Sequence, residues 1–222
     1  VYLRNNEGVS RSLNYGVKKT NTKYFIHISP DLSVNYDEIK IFFKYAFKLN
    51  DNFCALGPRF INTKKKGHLQ INKKLEFGKI ESIHGSFMFI NKKRFDEIGG
   101  WDKNIFLYFE ETDFCFRAKK MNLYSYQINS IKTQTIDTTV QIDDINKKQE
   151  WLNLLTWHFI WSKFYFYKKH YNIILAILYF IPIILRTTFK IVFYSIFNNQ
   201  LKKRHYLVRL DGLIRSIIGL SS

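Results

Sequence analysis

The sequence predicts an α/β sandwich with a largely parallel sheet, followed from about residue 140 by a helical region. Three observations carry that prediction. Short apolar runs alternate with amphipathic helical patterns over the first part of the chain, as strand–helix alternation in one sheet requires. Hydrophobic residues make up 46% of 222, enough to bury the core of one domain plus an appendage, or of two small domains. From residue 143 onward the pattern is helical and much more apolar.

The opening "VYLRNNEG" reads as a strand running into a turn, more like the middle of a domain than its beginning. In "GVSRSLNYGVKK", Val9, Leu13 and Val17 stand four apart on one helix face. "KYFIHIS" reads as a buried strand ending at Pro30-Asp31. Next, "NYDEIKIFFKYAFKLN" places Ile39, Phe42, Phe43, Ala46 and Phe47 on a 3.6-residue period, with Asn35 and Glu38 in a capping-box pattern. Strands "FCALGPRF" and "IHGSFMFI" follow, separated by the lysine-rich loop "NTKKKGHLQINKK". "NKKRFDEIGG" is a short helix stopped by glycine.

"EETDFCFRAKKMN" begins another helix, with Phe114, Ala118 and Met121 as its core face. Glu110, Glu111 and Asp113 then fall in the first turn, where the helix dipole and free N–H groups favour negative charge. Asp113 and Arg117 are spaced to pair at i,i+4. Taken alone, these carboxylates read as a helix cap or as a general base beside a cleft.

The C-terminal region, residues 141–222, holds 12 Lys/Arg against two acids between Lys147 and Ser222. Residues 171–185 are 15 positions without a formal charge, short of the roughly 20 that span a bilayer. Aromatic helices with basic flanks suit the surface of an anionic membrane. A buried helical subdomain and a transmembrane span are the alternatives. Trp151, Trp157 and Trp161 read as core or as a ligand box. Lys and Arg outnumber Asp and Glu by 35 to 18, a net charge of +17 that points to an anionic partner or to a uniformly lysine-rich composition. No RNP, zinc-finger or helix-turn-helix signature supports nucleic acid. Cys54 and Cys115 form no disulfide framework, which suggests a reducing compartment. His27, His68, His84, His158, His170 and His205 have no ligand spacing, though His84 stands beside Gly85. The runs at Lys64–Lys66 and Lys202–Arg204 read as solvated charge or as phosphate or lipid contacts.

One ordered block is more specific. Gly85, Arg94, Phe95, Gly99, Gly100, Trp101, Asp102, Phe106, Glu110, Glu111, Asp113 and Arg117 follow one another in "HGSFMFINKKRFDEIGGWDKNIFLYFEETDFCFR". This resembles the acceptor-side signature of family 2 glycosyltransferases, particularly rhamnosyltransferase-like bacterial enzymes. Upstream, Asn6, Gly8, Asn14 and Gly16 are similar to the family's "N-x-G…N-x-G" helix, and "FIHISPDLSV" to its "NPD" strand end. The resemblance covers most of the chain.

It implies a GT-A fold over residues 1–140, lacking its first βαβ unit. It also implies inverting transfer from a nucleotide-diphospho-sugar donor to a lipid-linked or polysaccharide acceptor. Glu111 would be the base, with Asp113 and Glu110 beside it. Trp101, Asp102, Gly85 and His84 would form the acceptor site. Asn6, Gly8, Asn14, Asp31 and Arg117 would face the donor, and Asp31 would hold a divalent cation, Mg²⁺ or Mn²⁺. Where the family has a histidine after the acidic helix, this chain offers Lys132 or Gln134. The implied location is the cytoplasmic face of the plasma membrane, peripheral or interfacial. A catalytically incomplete remnant using the acceptor half, or a basic nucleic-acid-binding protein, are the competing functions.

Overall fold

Apolar runs and helix caps sort the chain into two units in a computed structural model that describes residues 6–32, 34–61, 70–134 and 142–222. The sheet unit comprises Arg11–Asp102 and Glu110–Thr139. The helical unit comprises Val1–Ser10, Lys103–Phe109 and Val140–Ser222. The helical unit thus takes in the loop 103–109 and the residues up to Ser10, besides the stretch after residue 140. The predicted strand at residues 1–5, Lys64–Lys66 and His68 lie outside the described residues.

In the sheet unit, β1 (Tyr24–Ile28), β2 (Ala55–Phe60), β3 (Phe77–Ile80), β4 (Phe87–Asn91) and β5 (Ser125–Thr133) form one sheet in the order β1-β4-β2-β5-β3. Its helices are α1 (Val9–Lys18), α2 (Tyr36–Lys48), α3 (Lys92–Ile98) and α4 (Glu110–Lys120). Alternate residues of β4 feed two cores. Met88 and Ile90 pack with Val17, Phe95, Phe114 and Ala118 from α1, α3 and α4. Phe87 and Phe89 pack with Phe42, Tyr45 and Ala46 from α2. The period-2 alternation of a strand covered on both faces makes this a sandwich.

The sheet is not largely parallel. Only β2 and β5 pair parallel; β1–β4, β2–β4 and β3–β5 are antiparallel. A strand covered on both faces is apolar throughout whichever way its neighbours run, so the apolar runs carried no information on direction. β1 was expected to be buried, yet it is an edge strand and only half-buried. β3 and β5 were not read as strands. In β5 the buried polar side chains of Gln127 and Asn129 mask the apolar signal. Gln127 Nε2 donates to Asn129 Oδ1 at 2.7 Å, and Asn129 Nδ2 donates to the carbonyls of Asn72 and Leu75 at 2.9 and 2.8 Å.

The capping box of α2 forms, with Asn35 accepting from Glu38 N and Glu38 accepting from Asn35 N. Its buried face is Phe42, Tyr45 and Ala46, whereas Phe47, expected inside, is 71% exposed. Gly99 ends α3 in the left-handed region at φ 89°, where a β-carbon would be strained. Helix α4 stops at Lys120, which leaves Met121 exposed rather than in the core.

The helical unit consists of α5 (Ile145–Tyr171), α6 (Ile173–Ile196) and α7 (Gln200–Ile218), capped by Asp144, Asn172 and Asn199. Ile160, Phe164, Ala176, Phe180 and Leu213 form its core. Gly212 lets α7 approach α5 closely, since a β-carbon there would meet the Trp157 carbonyl at 2.8 Å. Trp161 is core, Trp157 donates to Asp211 Oδ2 at 2.7 Å, and Trp151 stays partly exposed, so the three tryptophans form no common box. The loop 103–109 belongs to this unit through Phe106, which stacks on His158, and Leu107, whose carbonyl accepts from Ser162 Oγ at 2.8 Å.

Candidate active site

Strand direction decides where a site can form. The C-terminal ends of β1, β2 and β5 and the start of β4 share one edge of the sheet, the edge where open α/β sheets bind ligands. Past β1, Ser29 N donates to the Ser86 carbonyl at 2.8 Å, which ties the Ser29-Pro30-Asp31 turn to the residues ahead of β4. There His84 Nδ1 accepts from Ser86 N at 3.2 Å, and the imidazole packs on Phe60 with centroids 4.3 Å apart.

Helix α4 delivers its first turn to the same place. Ser82 Oγ and Thr112 Oγ1 are 3.3 Å apart. The carboxyl of Glu111 lies against Gly85, where an added β-carbon would be 3.5 Å from Glu111 Cδ and Oε2. Glu111, Gly85, His84 and Asp31 are therefore gathered at this one corner. Tyr108 and Phe109, just before α4, have φ of 68° and 70°. Two successive non-glycine residues in that region are costly, and such strain clusters at functional sites.

Glu110 is the residue whose state the sequence left open. Its Oε2 is enclosed and has no hydrogen-bond partner. Burial first, and the charge of Glu111 second, push its carboxyl from 4.5 up to about 8. It therefore holds its proton at neutral pH, which relieves the repulsion that adjacent carboxylates would otherwise suffer.

Four of the expected site residues do other work. Asp113 is 0% exposed, and Arg117 uses its whole guanidinium inward. Nε donates to Asp113 Oδ2 at 2.7 Å, and Nη1 and Nη2 donate to the carbonyls of Ile98 and Gly100 at 2.6 Å each. This fork fixes α4 to the end of α3, with Asp113 buried and the Arg117 guanidinium turned to the protein's own carbonyls. Trp101 is 2% exposed and packs on Phe95 and Phe114, so it presents no face to a sugar. Asn14 is spent on the Trp101 backbone, donating Nδ2 to its carbonyl at 2.8 Å and accepting from its N–H at 2.9 Å. A "GG-aromatic-Asp" pattern cannot distinguish an aromatic buried by its own loop from one that faces a ligand.

Asn6 and Gly8 belong to the helical unit. Asn6 Oδ1 accepts from Gly8 N at 3.2 Å, and Gly8, at φ 83°, lets the chain pass the Phe106 carbonyl, from which a β-carbon would be 2.6 Å. Both roles are structural. Asp102 is half-buried in the turn after Trp101. Lys132 and Gln134 are exposed at the end of β5, on the ligand-binding edge. A cavity of about 370 Å³ elsewhere in the unit is lined by Lys79, Glu81, Lys119 and Tyr124. Its charges are engaged with one another, Lys119 on Glu81 at 2.8 Å and Lys79 over the Tyr124 ring, and no predicted site residue lines it.

Among the described residues no three His, Cys, Asp or Glu side chains gather to hold a metal ion. Asp31 offers one carboxylate. That fits a Mg²⁺-type ion that takes one or two carboxylates and draws its other ligands from substrate phosphates and water.

No protein-family model matches the chain. It is 25% identical to the low-salt glycan biosynthesis hexosyltransferase Agl10 of Haloferax volcanii, over 60% of this chain and 49% of that protein. It is 24% identical to the dTDP-rhamnosyl transferase RfbF of Shigella flexneri, over 99% of this chain and 79% of that one. The chain thus spans about half the length of the first relative and four fifths of the second. Among solved structures, the mannosyltransferase PcManGT of Pyrobaculum calidifontis, in complex with GDP-Man and Mn²⁺, matches with a TM-score of 0.53. It shares 10% identity, over 95% of this chain and 66% of that one. The sequence similarity and the mixed sheet agree with the ordered block from Gly85 to Arg117: the chain is similar to glycosyltransferases of the family 2 type, on a GT-A-like α/β fold.

Proposed function

We propose that the protein transfers a sugar from a nucleotide-diphospho-sugar to a hydroxyl of a lipid-linked or polysaccharide acceptor, with inversion, in cell-surface glycan synthesis. The observation that carries this reading is the Glu111 carboxyl held against Gly85 at the ligand-binding edge of the sheet. The acceptor oxygen bonds to the anomeric carbon as the bond from that carbon to the phosphate oxygen breaks. The hydroxyl proton passes to the Glu111 carboxylate and the nucleoside diphosphate leaves. Protonated Glu110 keeps a second negative charge away from this base. His84 and Asp102 are the side chains proposed to meet the acceptor. A divalent ion, where bound, supplies positive charge to the leaving diphosphate. Asp31 is the residue that would hold it, and exposed Lys132 is a second cation for the same phosphates.

The reaction is proposed to occur at the cytoplasmic face of the plasma membrane, with α6 in the interface. Ile174, Leu178, Ile181, Leu185, Phe189, Val192 and Ile196 are all exposed and succeed one another at three- and four-residue steps. They form one apolar stripe along the helix, opposite its buried residues Ala176, Phe180 and Thr187. The net charge of +17 suits an anionic lipid surface. Helix α6, with 24 residues, is also long and apolar enough to cross a membrane, so extraction separates the two placements. Alkaline carbonate releases an interfacial protein and leaves a spanning one in the pellet.

The test of the chemistry is nucleoside diphosphate release from a panel of nucleotide-sugars in the presence of membrane lipid extract. Glu111→Gln is expected to lower turnover by about 10²–10⁴-fold with an unchanged melting temperature. Wild-type turnover by that variant would remove Glu111 from the role of base.

A further inference from the structure

Among the described residues of the helical unit, two enclosed donors, Arg209 Nε and Asn153 Nδ2, have no acceptor. Arg209 of α7 is half-buried, and its Nε is enclosed with no acceptor. Arg186 of α6 stands close enough for its like charge to act with burial in lowering the Arg209 guanidinium below its ordinary value. One turn before Arg209, His205 places Nδ1 3.2 Å from Asn153 Oδ1 of α5. That oxygen also accepts from Gln149 Nε2 at 3.1 Å, while the Asn153 amide nitrogen is enclosed and has no acceptor. His205 is itself shifted toward its neutral form by burial and by Arg209.

Only two acids occur between Lys147 and Ser222, and each has a basic partner of its own. Glu150 is 3.7 Å from Arg204, and Asp211 accepts from Arg215 and Trp157. Lys190, one turn after Arg186, and Lys202 of α7 add cations over the Tyr194 ring, which stacks on Tyr206. Enclosed donors without acceptors cost stability unless something supplies negative oxygens. A phosphate does so with several acceptor oxygens on one centre, and the planar guanidinium fork matches it bidentately.

We propose that Arg186, Arg209, His205 and Asn153 form a binding site for a phosphate group. The group is either free diphosphate or the headgroup phosphate of a lipid lying along the adjoining stripe of α6. The site lies wholly within the helical unit and needs no turnover. Its failure would leave the transfer reaction standing, and failure of Glu111→Gln to lose activity would leave this site standing.

The test uses the full chain and two probes. Titration calorimetry with inorganic pyrophosphate reads the free anion. Co-sedimentation with phosphatidylcholine vesicles carrying phosphatidic acid reads the lipid. The variants are Arg186→Ala, whose side chain is exposed and holds no other residue, and Arg209→Gln, with Lys148→Ala in α5 as a control for the loss of one charge. Arg186→Ala and Arg209→Gln are expected to weaken binding about tenfold or more, the loss of a charged hydrogen bond, and Lys148→Ala less than about twofold. Loss in the pyrophosphate arm identifies a free anion, and loss in the vesicle arm alone identifies a lipid phosphate. The site is refuted if Arg186→Ala binds both probes as the wild type does, or if it loses no more than Lys148→Ala.

Discussion

A β-carbon added to Gly85 would lie 3.5 Å from the Glu111 Oε2 atom. The turn ahead of β4 and the first turn of α4 thus meet at the Glu111 carboxyl. A methyl group fits at that distance without a clash. Gly85→Ala is therefore expected to leave urea stability within about 0.5 kcal/mol of wild type. It should lower turnover at least about tenfold, because the methyl takes the space beside the Glu111 carboxyl that an acceptor hydroxyl needs and so displaces the acceptor from its reacting position. Parallel denaturation and rate measurements check both halves, and an unchanged rate would separate Gly85 from the reacting atoms.

Arg117 closes three contacts at once, and its partner Asp113 is fully buried. Arg117→Ala breaks this buried ion pair, at a cost of about 3–5 kcal/mol. Arg117→Lys keeps the charge but not the fork, so only partial recovery is expected. Chemical denaturation of both variants measures this. A donor-binding role for Arg117 would instead raise KM at unchanged stability.

Asn14→Ala removes both hydrogen bonds to the Trp101 backbone and leaves a buried N–H and carbonyl without partners. The expected loss is about 2 kcal/mol. Asn14→Asp keeps the acceptor but not the donor, so the Trp101 carbonyl is still unanswered and the variant is no remedy. The midpoint of urea unfolding reads both.

Glu110 gives the stability a pH dependence whose sign follows from its burial. Unfolded, the group loses its proton near 4.5; folded, near 8. Between those values the folded state binds more protons, so its stability falls as pH rises through the window. Glu110→Gln has no proton to lose. At pH 8 it should exceed wild type by about 4 kcal/mol, with the difference shrinking toward pH 5. Melting curves across that range test it, and parallel curves at all pH values would contradict the buried acid.

The local structure was legible because its signals are local. The Asn35–Glu38 box, the Gly99 stop and the Asp113–Arg117 spacing each lie within one turn of chain, and each forms as the residues dictate. The block from Gly85 to Arg117 also contains both residues that meet at that corner, Gly85 and Glu111. Strand direction, by contrast, depends on partners tens of residues away, so the antiparallel pairing of β4 with β1 and β2 was not readable. Burial likewise belongs to the packed molecule. The sequence set Trp101, Asn14, Asp113 and Arg117 beside the acidic turn but could not say which way they face. Tertiary packing turned these four into a lock within the core, left Glu111 at the carboxyl edge of the sheet, and enclosed the Glu110 carboxyl until it keeps its proton. The reason is physical: residue type fixes which interactions are available, and only the fold sets which of them are cut off from water.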